Sequence, residues 1–460
     1  MDINQKIYQT DWLASSPVFY NELTGQVSHN INDVIDFSKF DFHPEGLNNY
    51  LEFGYSVFGQ TPIKNIKFLR HSSKLTVGKN NEIKVEHLED SSEYWLDKAT
   101  SEDDVFQLLC NAIHQWEKSV QGEIVIPTSG GYDSRLLNFL IEDKSRVRAF
   151  TYGISNNQED SFEAIYAKLL CKKLSIQWER IEIGNYHHYI NDWDSIFGVS
   201  THAHGMYQIE FYHKILSKVE GNNPFLSGII GDAWAGSVNI TEIQSPSDIL
   251  KLGYSHGIKA DSQMSYLSSK SELINEYYEI HKDKLNLPIF RVIESMRFKI
   301  ILLSYLMRIP RHLGFQAWSP FLDIETALSM LTLPSERRKN RLWQKEFFEK
   351  NNLNLEDMGF KTNKSNTLNL QAMKISPLDP LNSNLLREII HPDYVEWINR
   401  HIPARLTSWD VFWNIHRIPK VRRLVYVFNL EDKRLKAYYA YLTLKPLENL
   451  IKRRNAILYS

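Results

Sequence analysis

The first part of the chain alternates short runs of β-forming residues with turn residues. Residues 18–31 and residues 74–88 each contain two such runs around a glycine-containing turn, which predicts two hairpins. Between them, a segment that opens with Pro44 and stops at a glycine predicts one helix. Residues 1–98 are therefore predicted to be β-rich.

A polar linker at residues 89–104 separates this region from segments with a different hydrophobic period. Helical periodicity over residues 104–120 leads into an apolar strand, and strands and helices then alternate. This alternation predicts right-handed βαβ units and a parallel sheet, and the pattern becomes mostly helical beyond about residue 240. The predicted elements are strands at 123–128, 146–154 and 176–183, a helix at 161–174, and a buried helix segment at 300–307.

Composition places the chain among soluble globular proteins. Its 460 residues exceed what one hydrophobic core usually serves, so two or three domains are expected. The net charge of -2 provides no field that would recruit nucleic acid or anionic lipid. The cysteines, Cys110 and Cys171, and a start without a signal-peptide pattern suit a reducing compartment. We therefore expect a cytoplasmic protein with no nucleic-acid partner and no transmembrane segment.

One short stretch, IVIPTSGGYDSRLL at residues 124–137, combines a strand, a glycine turn and the start of a helix. At the end of a parallel strand, such a turn presents free backbone N–H groups and a helix dipole, which together bind anions. The residues after the glycines match neither a Walker A loop nor a GxGxxG fingerprint. Asp133 would repel a phosphate unless a cation lay between them, which predicts a nucleotide with Mg²⁺. The simpler interpretation is a tight turn that caps a helix.

PTSGGYDSRLL resembles the SGGxDS pyrophosphatase loop of the asparagine synthetase family, whose members cleave ATP between the α and β phosphates. FLSGIIGDAWAG at residues 225–236 resembles the family's LSGEGSDEVFGG, and residues 319–334 resemble its VPFLDxxxxxxALxLP. Nearer the N-terminus, residues 15–35 and 43–55 resemble the later part of the family's glutaminase domain and the helix that follows it. The resemblance thus extends over most of the chain in one order.

The resemblance implies a site for ATP and Mg²⁺. Asp133 and Asp232 match the two carboxylates with which the family holds Mg²⁺, and Tyr152 and Gly153 fall where the backbone grips adenine. The other matched positions are Thr128, Ser129, Gly130, Gly131 and Ser134 in the pyrophosphate loop, with Ser227 and Gly228 beside the same nucleotide.

The family also uses a lysine from a loop beyond PFLD to neutralise the charge that develops on the departing pyrophosphate. In GFKTNKSNT, residues 359–367, Lys361 fits that position best and Lys364 is the competitor. The alternative for either residue is an ordinary solvated lysine.

Three departures from the family change the expected chemistry. The chain has no cysteine at position 2 and matches only the later part of the glutaminase domain, so we expect a truncated domain that does not hydrolyse glutamine. Ile229 replaces a glutamate that handles the attacking amine, and isoleucine can neither accept a proton nor orient ammonia. Trp318 replaces an arginine of the acceptor site, where it either stacks on a bulkier, less ionic acceptor or packs in the core.

Two further features leave alternatives open. His202 and His204 have a spacing that strands can use for metal, but no third ligand is evident, so the choice lies between the acceptor pocket, zinc and plain packing. His187 and His188 are expected on the surface.

The tail at residues 416–460 carries eleven Lys and Arg against three Asp and Glu, and is either a solvated helix face or a peripheral contact with a membrane surface or anionic polymer.

The sequence therefore predicts an α/β protein. It comprises a truncated, inactive glutaminase-like β-rich domain (1–98), a doubly wound parallel-sheet PP-loop synthetase domain with helical additions (99–380), and a basic helical extension (381–460). The predicted activity is ATP-dependent amide formation between a small-molecule or peptide carboxylate and an amine. A sugar carboxylate of bacterial surface-polysaccharide synthesis is favoured because Trp318 suits stacking on a sugar ring. The alternatives are a peptide macrolactam (lasso) cyclase and an inactive ATP- or AMP-binding scaffold.

Overall fold

The computed structural model describes residues 5–219, 222–254, 257–360, 362–364, 366–402 and 432–458. The protein belongs to the α/β class, as predicted, and two small antiparallel sheets precede one parallel sheet. The strands of the antiparallel sheets are β1 (Lys6–Gln9), β2 (Phe19–Asn21), β3 (Val27–Ser28), β4 (Ile66–Phe68), β5 (Ser73–Val77) and β6 (Ile83–His87).

Both predicted hairpins are present in this β-rich region. β2 pairs with β3, with Phe19 opposite Ser28, and β5 pairs with β6 along its full length. The sheet orders are β1-β5-β6 and β3-β2-β4. The predicted helix is α1 (Pro44–Phe53), which ends because Gly54 takes the left-handed conformation at φ 82°. The relation of this region to a glutaminase domain stays a prediction.

The central sheet confirms the predicted parallel arrangement. Its strands are β7 (Ile124–Pro127), β8 (Val147–Thr151), β9 (Gln177–Arg180), β10 (Pro224–Leu226) and β11 (Gln316–Trp318). They lie in the order β11-β10-β7-β8-β9, and every neighbouring pair is parallel. Three consecutive residues of β7, from Ile124 to Ile126, are fully buried, as expected for a strand covered on both faces.

The strand order reverses at β7. From β7 the chain moves outward to β8 and β9, and it later places β10 and β11 on the other side of β7. In open parallel sheets, the loops after the two strands at such a reversal diverge and leave a crevice at the carboxyl ends of the strands. Asp133 follows β7 and Asp232 follows β10, so the topology brings the two predicted metal ligands to this crevice.

Helices make up most of the described residues beyond residue 240, as predicted. After α1 the α-helices are α2 (Glu102–Ser119), α3 (Tyr132–Leu140), α4 (Phe162–Leu174), α5 (Ile190–Phe197), α6 (Met206–Leu216), α7 (Glu272–His281), α8 (Pro288–Leu303), α9 (Tyr305–His312), α10 (Ile324–Leu331), α11 (Ser335–Arg338), α12 (Leu342–Lys350), α13 (Leu368–Ile375), α14 (Ser383–Leu386), α15 (Pro392–His401) and α16 (Lys433–Leu458). The predicted buried segment at 300–307 spans the junction of α8 and α9. None of the described helices is long and apolar enough to cross a bilayer.

One hydrophobic core joins the three predicted segments of the chain. It contains Trp12 from the β-rich region, Ile126 from the central sheet and Tyr441 from α16. The segments therefore pack on one another through apolar side chains, and the domain boundaries given above stay predictions.

Some basic residues in the described part of the tail are paired with acidic residues. Arg453 lies in an ion pair with Asp194, and Arg454 lies 2.7 Å from Glu388. Part of the tail lies outside the described residues, and its contact with a membrane surface or an anionic polymer stays a prediction.

A buried charged cluster ties α8 to the β-rich region. The side chain of Arg297 is 3% exposed, and its guanidinium donates to both carboxylate oxygens of Asp90 at 2.7 Å. It also donates to Glu294 at 2.8 Å and to the Trp12 carbonyl at 2.9 Å. Because α8 also forms one wall of the site described next, this cluster fixes the position of that wall.

Candidate functional site

The loop after β7 is held in shape by hydrogen bonds among its own residues. Ser134 Oγ accepts from the Ser129 amide and donates to the Gly131 carbonyl, both at 3.2 Å. Ser129 Oγ in turn accepts from the Gly131 amide at 3.3 Å. The Thr128 hydroxyl faces inward, where it accepts from Asn138 at 2.9 Å. These hydrogen bonds fix the conformation of the loop backbone.

The two glycines of this loop serve different purposes. Gly130 takes φ 69°, and a Cβ there would lie 2.4 Å from the Cβ of Tyr166 on α4. Gly131 has φ -67°, which any residue adopts, and a Cβ there would meet only Ser129 Oγ at 3.2 Å. Gly130 thus lets the loop pack against α4, whereas Gly131 leaves its backbone open to the cavity that it lines.

Gly130→Ala is expected to lower the free energy of unfolding by about 2–3 kcal/mol, because the new Cβ meets both a left-handed backbone and the α4 side chains. Gly131→Ala is the matched control, since its backbone angles suit alanine, and its stability should stay close to wild type. Denaturant-induced unfolding of the two variants checks the difference. Equal losses of stability would show that the close approach to α4 is not what the first glycine provides.

Arg135 supports the loop from the protein interior. Its fully buried side chain donates to the Gly130 carbonyl at 2.7 Å and to the two carboxylate oxygens of Glu356 at 2.9 and 3.0 Å. The Gly130 carbonyl is thereby fixed inward, which turns the following backbone toward the cavity. Sequence reasoning missed this role, although Arg135 stands inside the quoted motif.

Asp133 joins the loops after β7 and β10. Its carboxylate forms an ion pair with Arg341, and the backbone amide of Asp232 lies close enough to favour its charged form. Burial raises the pKa of Asp133 to about 7; the positive charge of Arg341 opposes this rise, and the negative charge of Asp232 adds to it. A bound cation would relieve both the desolvation and the repulsion between the two carboxylates.

The donors at this point fit Mg²⁺. Asp133 and Asp232 offer hard carboxylate oxygens, and Mg²⁺ usually takes one or two of these together with phosphate oxygens and water. Within the described part of the chain, no three His, Cys, Asp or Glu residues form a group that could hold a metal by themselves. A metal here would therefore depend on oxygens of the ligand, as expected for a nucleotide site.

Both loops line a cavity of about 1190 Å³, which is above the usual range for a site that holds one small molecule. Ser227 and Gly228, after β10, line it too. A Cβ on Gly228 would lie 3.5 Å from the Cβ of Asp133, so the backbone after β10 passes close to the loop after β7. The cavity has room for a nucleotide and a second substrate.

The end of β8 forms one wall of the cavity. Tyr152 lines it, and its hydroxyl accepts from Gln208 at 3.1 Å. Gly153 lies outside the lining, and a Cβ there would lie 2.3 Å from the Gln158 carbonyl oxygen, so this glycine allows the next turn to fold back. Glu163 also lines this wall; burial raises its pKa, and no described group bonds its Oε2.

A second wall comes from α8 and α9. Met296, Lys299, Leu303 and Leu306 line the cavity along these helices. Burial lowers the pKa of Lys299 to about 8, and the negative charge of Asp232 partly offsets this effect. This wall is therefore apolar except for one ammonium group near the second carboxylate.

The backbone between Gly228 and Asp232 is strained. Ile229 is 3% exposed and lines the cavity, and its amide donates to Ser227 Oγ at 3.2 Å. Ile230 takes φ 52°, a left-handed conformation that a β-branched residue rarely adopts. Strain of this kind persists where the surroundings hold it and is common at functional sites.

Three predicted acceptor residues lie outside the lining of this cavity. Trp318 stacks on Trp116, with ring centroids 5.1 Å apart and an interplanar angle of 12°. The His202 ring is fully buried, and no described group bonds either of its nitrogens. The His204 ring lies 5.7 Å from that of His202 and 5.4 Å from that of Tyr207. Trp318 thus has a packing partner within the protein, which removes the reason given for a sugar acceptor.

The two predicted catalytic lysines are placed differently. Lys361 lies outside the described residues. Lys364 is exposed and outside the lining, and its ammonium lies 5.3 Å from the ring centroid of Phe162. The choice between them stays open, with Lys361 the better match by motif.

Four charged residues at the cavity were missed by sequence reasoning. Arg341, Lys299, Lys251 and Glu163 all line it. A lysine in the apolar pattern of α8 was the available signal for Lys299. Arg341 ends a short 3-10 helix at φ 57°, directly before α12, with no surrounding motif, so nothing in the sequence pointed to it.

Comparison with known proteins adds little to this geometry. No protein-family profile matches the sequence, and no curated protein matches it. Among solved structures, the chain is similar to an NH3-dependent NAD synthetase from Campylobacter jejuni in complex with the nitrate ion, with a TM-score of 0.25 and 15% identity over 45% of this chain and 97% of that one. A TM-score this low supports no structural conclusion about this chain.

Proposed function

We propose that this protein is an ATP-dependent ligase that activates a carboxylate as an acyl-adenylate and joins it to an amine. The observation that carries the proposal is the meeting of Asp133 and Asp232 beside a glycine loop, at the point where the strand order reverses. The loop offers backbone N–H groups to phosphates, and the carboxylates suit Mg²⁺. The motifs around these residues further support placement in the asparagine synthetase family of PP-loop enzymes.

The proposed reaction has two steps. A carboxylate oxygen of the acceptor attacks the α-phosphorus of ATP, and the bond from that phosphorus to the bridging oxygen breaks, so that pyrophosphate leaves with the electron pair. The amine then attacks the acyl carbon and gives up a proton, and AMP leaves with the electrons of the broken C–O bond. ATP, acid and amine thus become AMP, pyrophosphate and amide.

Different residues of the cavity would contribute to different parts of this reaction. Asp133 and Asp232 would hold Mg²⁺, which supplies neutralising charge to the phosphates when bound. Arg341 lines the same cavity beside Asp133, and its guanidinium would donate hydrogen bonds to a phosphate oxygen bound there. These charged groups serve the departure of pyrophosphate rather than recognition of adenine, which favours an enzyme over an inactive nucleotide-binding scaffold.

Titration with ATP tests the proposed site. We expect ATP with Mg²⁺ to bind at least about 10-fold more tightly than ATP with a chelator, because the carboxylates repel unscreened phosphates. AMP, which lacks the pyrophosphate, should show a much smaller effect of Mg²⁺. Calorimetry measures all three affinities. Undetectable ATP binding, or an affinity that the chelator leaves unchanged, would contradict the proposal.

Lys361 is expected to neutralise charge on the departing pyrophosphate. Lys361→Ala should lower the rate of AMP formation on the order of 100-fold while the affinity for ATP changes little, since the interaction is made mainly in the transition state. Lys364→Ala is the matched control, because the Lys364 side chain lies outside the cavity lining. AMP formation at the wild-type rate in Lys361→Ala would remove this lysine from the mechanism.

A further inference from the structure

The second wall of the cavity is one face of α8 that continues into the start of α9, and we call it the Met296–Leu306 stripe. Met296, Lys299 and Leu303 are three and four residues apart on α8, and Leu306 follows at the start of α9. Positions with this spacing share one face of a helix, and all four line the cavity. Leu303 and Leu306 are only half-buried, so their side chains have surface left for a ligand to cover.

Lys299 differs from the other cations at the cavity. Arg341 is paired with Asp133, and Lys251 lies 2.7 Å from Asp248. No described residue forms a hydrogen bond or an ion pair with the Lys299 ammonium. The negative charge of Asp232 offsets only part of the cost of burying this ammonium, so an anionic group of a ligand beside it would be favourable.

The rest of this end of the cavity combines apolar side chains with a few polar ones. Ile229 stands where the asparagine synthetase family has a glutamate, and Ile240 and Leu250 add apolar surface from the segment after β10. The polar residues of that same segment that line the cavity are Ser237, Asn239, Thr241, Lys251 and Tyr254. The stacking face expected from Trp318 is turned to Trp116 instead.

We propose that the carboxylate substrate is an apolar carboxylic acid, with an aliphatic or aryl body on the Met296–Leu306 stripe and its carboxylate held by Lys299. This inference rests on the proposed function and names the substrate class of the same site. The ammonium neutralises the acid and directs a carboxylate oxygen toward the end of the cavity where Asp232 and the phosphate loop lie. A sugar acid would leave its hydroxyl groups without partners along the stripe, which is unfavourable.

Acid binding can be measured directly. Octanoate, phenylacetate and glucuronate are titrated into the full-length protein with Mg²⁺ and an ATP analogue that has a methylene between the α and β phosphates. Octanoate is expected to bind at least about 10-fold more tightly than glucuronate, since each buried methylene contributes roughly fourfold in affinity. Lys299→Gln should weaken octanoate binding about 10-fold or more and leave the affinity for the analogue unchanged.

Two further variants separate a direct contact from a disturbed fold. Lys251→Gln is the matched control, because the Lys251 ammonium is already paired with Asp248, and it should bind octanoate like wild type. Leu306→Gln should weaken the binding of octanoate but not that of acetate, which is too short to cover the stripe.

The possible results distinguish the substrate class and the role of Lys299 from the proposed ligase reaction. Tighter binding of glucuronate than of octanoate would overturn the substrate class and leave the ligase proposal standing. Loss of affinity for the ATP analogue in Lys299→Gln, with octanoate binding unchanged, would place Lys299 on the phosphates and overturn its role here. Octanoate binding that depends on Lys299, together with ADP as the reaction product, would support the acid site and contradict the adenylating reaction.

Discussion

Replacing either Asp133 or Asp232 with asparagine is expected to lower the rate of AMP formation about 1000-fold. Each substitution removes one negative charge from the pair that would hold Mg²⁺ against the phosphates, and the loops after β7 and β10 meet at these two residues. Because both carboxylates would serve one ion, the double variant should lose little more than each single variant. Single-turnover AMP formation measures all three.

The free energy of unfolding of each variant shows whether the lower rate of AMP formation comes from a loss of the folded state. Burial raises the pKa of Asp133 to about 7, so its charged form is not favoured by the fold and a neutral amide should be tolerated there. Asp192→Asn is the matched control, since Asp192 is exposed on α5 and outside the cavity lining. Wild-type turnover in both site variants would contradict the two-carboxylate site, as would an equal loss in the control.

Arg297→Leu is expected to lower the free energy of unfolding by about 3–5 kcal/mol, because it leaves Glu294 and Asp90 buried without their cation. The same change frees α8 from the Trp12 carbonyl and so loosens the wall that carries Lys299. Arg337→Leu is the matched control. Because Arg337 pairs with Glu102 and Glu346 at the surface, this replacement should lower the free energy of unfolding much less. Denaturant-induced unfolding measures both variants. Equal losses of stability would contradict the claim that the buried cluster holds α8 against the β-rich region.

The pH dependence of this effect has a defined sign. Burial alone would raise the pKa of Glu294. The positive charge of Arg297, together with smaller contributions from His71, His281 and the Tyr277 hydrogen bond, outweighs burial, and the pKa falls from 4.5 to about 2. A folded-state pKa below the unfolded value gives stability that is complete above about pH 4.5 and is lost as the pH falls toward about 2. The difference in stability between wild type and Arg297→Leu should therefore narrow over that window. An equal difference at about pH 6 and about pH 3 would contradict the ion pair.

Much of the fold could be predicted because it follows from local patterns. The hairpins, α1 and the parallel strands depend on turn residues, a proline at a helix start and runs of buried side chains, all of which are contiguous in sequence. The loop from Thr128 to Ser134 is contiguous too, so its conformation could be inferred from its residues alone.

Contacts between distant segments could not be predicted in this way. The Arg341 guanidinium reaches Asp133 across 208 positions, and no periodicity encodes that pairing. His187 shows the same limit: it was predicted on the surface beside His188, which is exposed, but His187 is 4% exposed and its Nε2 lies 2.9 Å from the Tyr438 hydroxyl on α16. The prediction for His187 is wrong because packing of a helix from the end of the chain buries it.

The identity of the bond cleaved in ATP tests the central claim most directly. The full-length protein, Mg²⁺, a carboxylic acid and ammonia as the amine are incubated with ATP labelled at the α-phosphate and, separately, at the γ-phosphate. If the loop after β7 holds the β and γ phosphates as one unit, the α label appears in AMP and the γ label in pyrophosphate, and both depend on the acid. Acid-independent release of ADP and labelled inorganic phosphate would contradict the adenylating reaction.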